Sequence, residues 1–326
     1  MDHPQSIQLF PTLRCNQDCG FCFNRAISNS FSYGEMNVRE ARLLREILTE
    51  AGVREIDILG GEPMLVPWLK DFVEGVCETG VTVNISTNGS LPQEAGRISN
   101  LQTDFVNLGF SLHGFAETHK ALTGTDNFLK VVSGIRKTVG AGRNPIVKST
   151  LLRGNADEIF GLVEYLKDIG VKRYFLLHED LIGRPKTAAA FSFPEYREYY
   201  LALKRNFDGA VEIGSVAASG FYGYGAHASG RCDAGLNKIA VMPDGSVFPC
   251  NLFAGFREFR LGNIFVDGIE KIWRNSILDY FRRYSGGNRC ESHGCPYHSG
   301  CTGGCPAHSY YFDRTLDSVD TRCLKR

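Results

Sequence analysis

The chain has 326 residues, enough to bury a substantial core as one large domain or one plus a smaller one. Lys plus Arg and Asp plus Glu number 36 each, so no net field draws it to nucleic acid or to an anionic membrane. No apolar run approaches the ~20 residues of a spanning helix, and the N-terminus has no signal-peptide pattern. The sequence therefore reads as cytoplasmic, with no membrane or nucleic-acid partner.

From residue 5 to about 180, apolar strand-like runs alternate with amphipathic helices. The runs are SIQLFPTL, EIDILG, VTVNIST, FVNLGFSL, PIVKSTLL and KRYFLLH. After the first run comes LRCNQDCGFCF, with Cys15, Cys19 and Cys22 close together. Asn37 is placed to cap a helix whose Ala41, Leu44, Ile47, Leu48 and Ala51 share one face, with Gly52 as its stop. Cys77, among residues of helical period, reads as a buried small hydrophobe. Asn155 and Glu158 have capping-box spacing ahead of an Ile159, Leu162, Val163, Leu166, Ile169 stripe that ends at Gly170. Near-continuous apolar strands alternating with helices imply a parallel sheet covered by helices. Six such units are too few for a closed eightfold barrel; an open barrel or a doubly wound sheet both fit.

The rhythm breaks after residue 186. One helix is expected from Pro194 to Phe207, and the Gly-rich stretch 214–230 reads as a loop. KIAVMPDGSVFPC reads as a hairpin turning on Asp244-Gly245. From 285 onward Gly, Cys, Pro and Ser dominate, and such a segment needs metal clusters to staple it.

There are 11 cysteines. In a reducing compartment tight clusters of them read as metal ligands rather than disulfides. Three thiols in eight residues can ligate three irons of a 4Fe-4S cube and leave the fourth to a non-protein ligand. A zinc site borrowing a distant fourth ligand competes on spacing alone.

Position and neighbouring motifs favour iron. The loop follows the first strand, where a barrel's strand ends present active-site groups. C-x3-C-x2-C with Phe21 before the last Cys resembles the signature of the radical S-adenosylmethionine (SAM) superfamily. GGEP at 60–63 resembles its SAM-amine turn, STNG at 86–89 ends the third strand, and Ser111 ends the fourth. The resemblance implies a partial (β/α)6 TIM-like barrel over residues 1–190 and a 4Fe-4S cluster on Cys15, Cys19 and Cys22 whose open iron takes SAM. Reductive cleavage of SAM would then yield a 5′-deoxyadenosyl radical that abstracts hydrogen. It implies roles in SAM binding for Gly60, Gly61, Glu62 and Pro63, with the Glu62 carboxylate or a nearby carbonyl meeting the amine. Ser86, Thr87, Asn88 and Ser111 suit ribose and methionine groups, and Phe21 suits the adenine. Lys148, Ser149 and Arg184 are further candidates.

The C-terminal pattern resembles the SPASM domain, placed at 231–326 behind a bridging helix and loop at 191–230. It runs Cys232, Cys250, then Cys290, Cys295, Cys301 and Cys305, with Cys323 closing it. It departs from the family in one spacing, x4 after Cys290 where x2 is common. The resemblance implies one or two auxiliary 4Fe-4S clusters, with Cys290, Cys295, Cys301 and Cys323 on the distal one and Cys232, Cys250 and Cys305 on the proximal one. Three ligands leave a fourth corner for another residue, water or substrate. Without a proximal cluster, Cys232 could instead act as a hydrogen-atom donor.

His178, ending the sixth strand, is a substrate-site candidate, and His113 is either a contact for SAM or substrate or a core-packed or solvated residue. His293, His298 and His308 read as surface residues. Arg257, Arg260, Arg282 and Arg283 read as a solvated face or a dock for an acidic electron donor, flavodoxin or ferredoxin. The best-fitting function is modification of a peptide or protein by crosslinking, epimerisation or oxidation. Against it, the first strand starts too near the N-terminus to leave room for the leader-binding module many peptide maturases carry, although a compact peptide epimerase, which needs none, stays compatible. Small-molecule dehydrogenation or epimerisation, tetrapyrrole side-chain decarboxylation, and a non-catalytic electron carrier are the alternatives.

Overall fold

A computed structural model describes residues 3–30, 32–184, 190–221, 232–283, 295 and 301–323. The six expected strands are all present: β1 (Ser6–Leu9), β2 (Glu55–Ile58), β3 (Thr82–Thr87), β4 (Val106–Ser111), β5 (Ile146–Leu151) and β6 (Arg173–His178). They pair in parallel in chain order. A doubly wound sheet would reverse direction around its first strand, so this order selects the open barrel. The connections carry α1 (Asn24–Ser30) and α2 (Val38–Glu50), α3 (Leu69–Cys77), α4 (Pro92–Ser99), α5 (Ala116–Thr123) and α6 (Phe128–Gly140), and α7 (Ile159–Asp168).

Alternation along each strand separates two faces. Val83, Ile85, Leu108, Phe110, Val147 and Tyr174 are buried; Phe110 packs onto α6, where a Cβ at Gly134 would meet its ring at 3.0 Å. The opposite face carries Asn84, Ser86, Asn107 and Lys148, linked by side-chain hydrogen bonds across strands. The barrel interior is therefore polar, and the apolar core lies between sheet and helices.

Local signals were obeyed in most places. Asn37 and Glu40 form a complete capping box on α2, Gly52 turns with φ +69°, and Cys77 is 4% exposed at the end of α3. The expected box at Asn155 and Glu158 does not form. Asn155 Oδ1 accepts from Leu152 N and its amide donates to the His113 and Thr150 carbonyls. Glu158 accepts from Phe115 N and Thr118 Oγ1. Tertiary partners on neighbouring loops outcompeted the local cap.

The sheet extends further than expected on both sides. Helix α8 (Phe193–Asn206) leads into β7 (Glu212–Val216), which pairs in parallel with β6. The stretch read as a loop from 214 thus begins inside a strand. Gly214 is needed there, because a Cβ would meet the Phe175 ring at 2.5 Å. The hairpin on Asp244-Gly245 joins β8 (Lys238–Val241) to β9 (Ser246–Phe248), with Gly245 at φ +81°. Its first strand also pairs in parallel with β1. With β10 (Gly262–Asn263) the described residues form one ten-stranded sheet in the order β10-β9-β8-β1-β2-β3-β4-β5-β6-β7. Short helices α9 (Ile264–Asp267), α10 (Ile269–Trp273), α11 (Leu278–Arg283) and α12 (Pro306–Asp313) complete the described chain.

Candidate active site

The loop after β1 holds Cys15 exposed and Cys19 and Cys22 half-buried. It rests on the end of α5, where Asp18 N and Gly20 N donate to the Thr123 and Leu122 carbonyls at 3.0 and 3.2 Å. Burial pushes the Cys19 thiol up to about 12, and the charges of Cys22 and Cys15 push it the same way. The three sulfurs therefore share one electrostatic neighbourhood.

The glycine turn after β2 fits against this loop. Gly61 N and Glu62 N donate to the Thr12 and Arg14 carbonyls at 2.9 and 2.8 Å. A Cβ on Gly60, at φ +120°, would meet the Thr12 carbonyl oxygen at 2.5 Å, and one on Gly61 would collide with the Arg14 carbonyl. The paired glycines thus let two backbones approach each other. Asn24, at the start of α1, donates to the Gly60 carbonyl.

Glu62 differs from its expected role as an amine partner. Its carboxylate is 0% exposed. One oxygen accepts from Met64 N and Thr87 Oγ1 at 2.9 and 2.7 Å, and the other from Asn88 N at 2.7 Å. Burial pushes its pKa up to about 6 against those hydrogen bonds. Glu62 ties the β2 turn to the β3 turn, and Pro63 opens a short 3-10 turn behind it. Thr87 is likewise spent on Glu62. Asn88 Oδ1 accepts from Ser90 N, while its amide donates to Asn16 Oδ1 at 2.8 Å and lies 3.7 Å from Cys15 Sγ. The exit of β3 therefore positions the cysteine loop, a task hidden from sequence because its partners are remote.

On the barrel's inner face, Lys148 reaches from β5 across Gly109 of β4 to donate to Ser86 Oγ of β3 at 2.8 Å. A Cβ at Gly109 would stand 2.8 Å from its Nζ. Burial holds the ammonium below its ordinary pKa. Ser111 is register-paired with Lys148. Ser149 is excluded from the interior: it is 0% exposed and donates to the Leu112 carbonyl. Phe21 stands edge-on to the His113 ring at 4.7 Å. His113 itself is buried, accepts from Thr150 N at 3.2 Å, and is pushed by burial down to about 3. Arg184 pairs with the buried Glu179 at 2.5 Å at the exit of β6.

A second site lies in a cavity of about 210 Å³ beyond β6 and β7, lined among others by Cys232, Cys250, Cys305, His178, Lys238 and Arg322. Burial pushes the Cys250 thiol up to about 12, with Cys232 adding to it. The three cysteines expected on a proximal cluster are thus together. Of the other set, Cys301 accepts from Gly303 N at 3.3 Å, and Cys295 and Cys323 are half-buried. Cys290 lies outside the described residues, as do His293 and His298.

Two histidines depart from expectation. His178 is 4% exposed and stacks on Tyr196 at 4.7 Å, which removes it from an open substrate site. His308 is 0% exposed rather than superficial. Its Nε2 lies 2.9 Å from Asp180 Oδ1 in a buried network in which Arg322 bridges Asp180 and Asp320. Asp320 also accepts from Cys305 N at 2.9 Å. These four residues, unmarked in the sequence, anchor the C-terminal segment; spacing offered no signal for them. Arg282 is no part of a basic face either: it stacks on Trp273 at 4.5 Å and donates to the Gly235 carbonyl.

The residues fit the implied groups. The first loop offers three thiols and no fourth, and beside it Gln17 Nε2 and Asn24 Oδ1 are buried atoms without hydrogen-bond partners among the described residues. Strand-end polar groups face the same side of an open parallel barrel. Fold and donor set together define a barrel enzyme organised around an iron–sulfur loop.

Comparison with known proteins names that class. Residues 9–179 match the model described as Radical SAM superfamily, and 232–305 match SPASM, described as an iron-sulfur cluster-binding domain; the chain belongs to the radical SAM superfamily and carries a SPASM domain. It is 26% identical over 307 residues to the antilisterial bacteriocin subtilosin biosynthesis protein AlbA of Bacillus subtilis, covering 90% of this chain and spanning 65% of that relative's length. It is 27% identical over 340 residues to the mycofactocin maturase MftC of Mycobacterium tuberculosis, covering 100% of this chain and 84% of the relative. The fold resembles Streptococcus suis SuiB bound to S-adenosylmethionine, at 18% identity and TM-score 0.78 over 99% of this chain and 78% of that one. It also resembles anSMEcpe with bound AdoMet, at 20% identity and TM-score 0.76 over 98% and 90%. The family implies SAM and 4Fe-4S clusters as cofactors. No helix among the described residues is long and apolar enough to cross a membrane.

Proposed function

We propose that this radical SAM/SPASM enzyme modifies a peptide or protein, acting at a side chain or an α carbon to crosslink, epimerise or oxidise it. The observation that carries the reading is the match along all of this chain to a maturase, MftC, joined to a cavity that gathers Cys232, Cys250 and Cys305 next to the barrel. When bound, SAM and its cluster would supply a 5′-deoxyadenosyl radical able to abstract hydrogen.

The chain's own residues would prepare the site. Cys15, Cys19 and Cys22 hold three irons, and the Gly60–Pro63 turn and Asn88 fix the loop that carries them. Ser86, Ser111 and Lys148 present two hydroxyls and a cation to the SAM ribose and carboxylate, Arg184 stands at the rim, and Phe21 packs on the adenine. One or two auxiliary clusters on the later cysteines would take up or relay an electron. Flavodoxin or ferredoxin would reduce the first cluster, in the cytoplasm.

The test is anaerobic reconstitution, followed by SAM and dithionite with short peptides encoded beside the gene. The expected result is 5′-deoxyadenosine together with a peptide that has lost two hydrogens or gained one solvent deuterium. Turnover with an amino sugar or sugar alcohol and none with any peptide would overturn the reading in favour of small-molecule chemistry. A filled cluster that yields no 5′-deoxyadenosine would favour an electron carrier.

A further inference from the structure

The cavity beyond β6 is lined by three cysteines and by a histidine, one of whose ring nitrogens is uncommitted. Cys232, Cys250 and Cys305 supply three corners of a four-iron cube. His178 lines the same cavity. Its Nε2 lies 2.8 Å from the Phe191 carbonyl oxygen. A carbonyl only accepts, so the proton sits on Nε2 and Nδ1 keeps a bare lone pair. Nδ1 is buried and has no hydrogen-bond partner among the described residues.

The ring cannot easily turn away. Tyr196 stacks on it at 4.7 Å, and Phe193 and Phe221 lie at 6.3 and 6.1 Å. A buried acceptor left without a partner is unfavourable and calls for an explanation. One ring nitrogen donated to a backbone carbonyl, with the other left bare, is the arrangement of a metal-bound histidine. Three other polar groups on the cavity wall suit the task less well. Asp180 Oδ1 is already engaged by His308 and Arg322, and Lys238 and Arg322 are cations.

We propose that His178 Nδ1 is the fourth ligand of the proximal auxiliary cluster, making it a three-cysteine, one-histidine site. The bond forms from a neutral imidazole to iron and releases no proton. It rests on the auxiliary-cluster reading but not on the identity of the substrate. Replacing a thiolate by an imidazole lowers the cluster's negative charge, as Lys238 and Arg322 in the same wall do electrostatically. Both effects raise the reduction potential, which suits a cluster that accepts an electron.

The experiment uses the whole protein, reconstituted without SAM, reduced, and prepared with natural-abundance or 15N-labelled histidine. Pulsed electron paramagnetic resonance should show a directly bound nitrogen whose coupling changes with the label. His178→Ala should abolish it. His178→Cys should retain the iron and lower the potential of one auxiliary cluster. Labelling needs no substitution, so the assignment stays testable if the variants fold poorly. Full iron, about twelve atoms per chain, with no histidine coupling, or coupling that survives His178→Ala, would overturn the ligand assignment alone; Asp233 would then be the next donor to test. Iron for fewer than three clusters in the unmodified protein would overturn the proximal cluster itself.

Discussion

The side-chain amide of Asn88 lies 3.7 Å from Cys15 Sγ while donating to Asn16 Oδ1 at 2.8 Å. Asn88 is also the residue whose backbone N–H donates to Glu62. One residue at the end of β3 therefore connects the cysteine loop to the glycine turn after β2. Three strand ends that are far apart in sequence become a single rigid rim, as a radical-generating site requires if reacting atoms are to stay in place. Asn88→Ala removes those side-chain bonds and the Asn88 Oδ1 acceptor for Ser90 N. The expected cost is about 1–2 kcal/mol, and 5′-deoxyadenosine formation should fall several-fold with part of the first cluster's iron lost. Unchanged iron content and unchanged turnover would show that the loop is held without it.

Gly61→Ala tests the backbone contact between turn and loop. The new Cβ would collide with the Arg14 carbonyl and stand 2.6 Å from the Leu13 carbonyl. Neither atom is the end of a flexible side chain, so the loop must shift. Overpacking of this kind costs about 1–3 kcal/mol, and the first cluster's charge-transfer absorption should drop after reconstitution. Gly20→Ala is the internal control, since its Cβ would meet nothing within 4 Å and its effect should stay within about 0.5 kcal/mol. Equal behaviour of the two variants would refute the packing role of Gly61.

The barrel was legible because each of six strands is apolar enough to stand out, and because the cysteine, GGEP and STNG motifs sit at successive strand ends. What was hidden has a common cause. Strand β7 contains Gly214, whose missing side chain makes room for Phe175 on the neighbouring strand, and a glycine in a short strand erases the period-two pattern. Strand β8 pairs with β1 across more than two hundred residues, which no local signal announces. The Asn155–Glu158 spacing was real but lost to tertiary partners on the loop after β4. His308, Asp180, Asp320 and Arg322 carry no motif; only the folded chain brings them together.

Stability should depend on pH through buried neutral imidazoles. Burial, with His119 adding to it, pushes His113 down to about 3, and burial also lowers His119. The folded state thus stays unprotonated where the unfolded chain, near pKa 6.5, takes up protons. For His113 the contribution is intact above about pH 6.5 and is lost as pH falls toward 3, at about 1.4 kcal/mol per pH unit. Denaturant melts between pH 7 and 5 should show that slope, and His113→Gln should flatten it by about one proton. A slope unaffected by the substitution would mean that His113 is protonated in the folded protein.

The buried network around Arg322 should govern the auxiliary clusters separately from the first one. Asp320 is 0% exposed, binds the Arg322 guanidinium through both oxygens at 3.0 and 2.8 Å, and accepts from the backbone of Cys305. The Arg322 backbone in turn accepts from Phe193 N at 2.8 Å, joining the segment beside Cys323 to the start of α8. Asp320→Asn leaves a buried guanidinium with a neutral partner, a change that costs about 3–5 kcal/mol when a buried pair is broken outright. The loss should be local, because Asp320 touches none of the residues around Cys15, Cys19 and Cys22. Iron content should therefore fall by the auxiliary share, while uncoupled cleavage of SAM to 5′-deoxyadenosine persists. Loss of both together would mean that the C-terminal segment supports the whole barrel, whereas retention of all iron would show that the cluster ligands hold their positions without this ion pair.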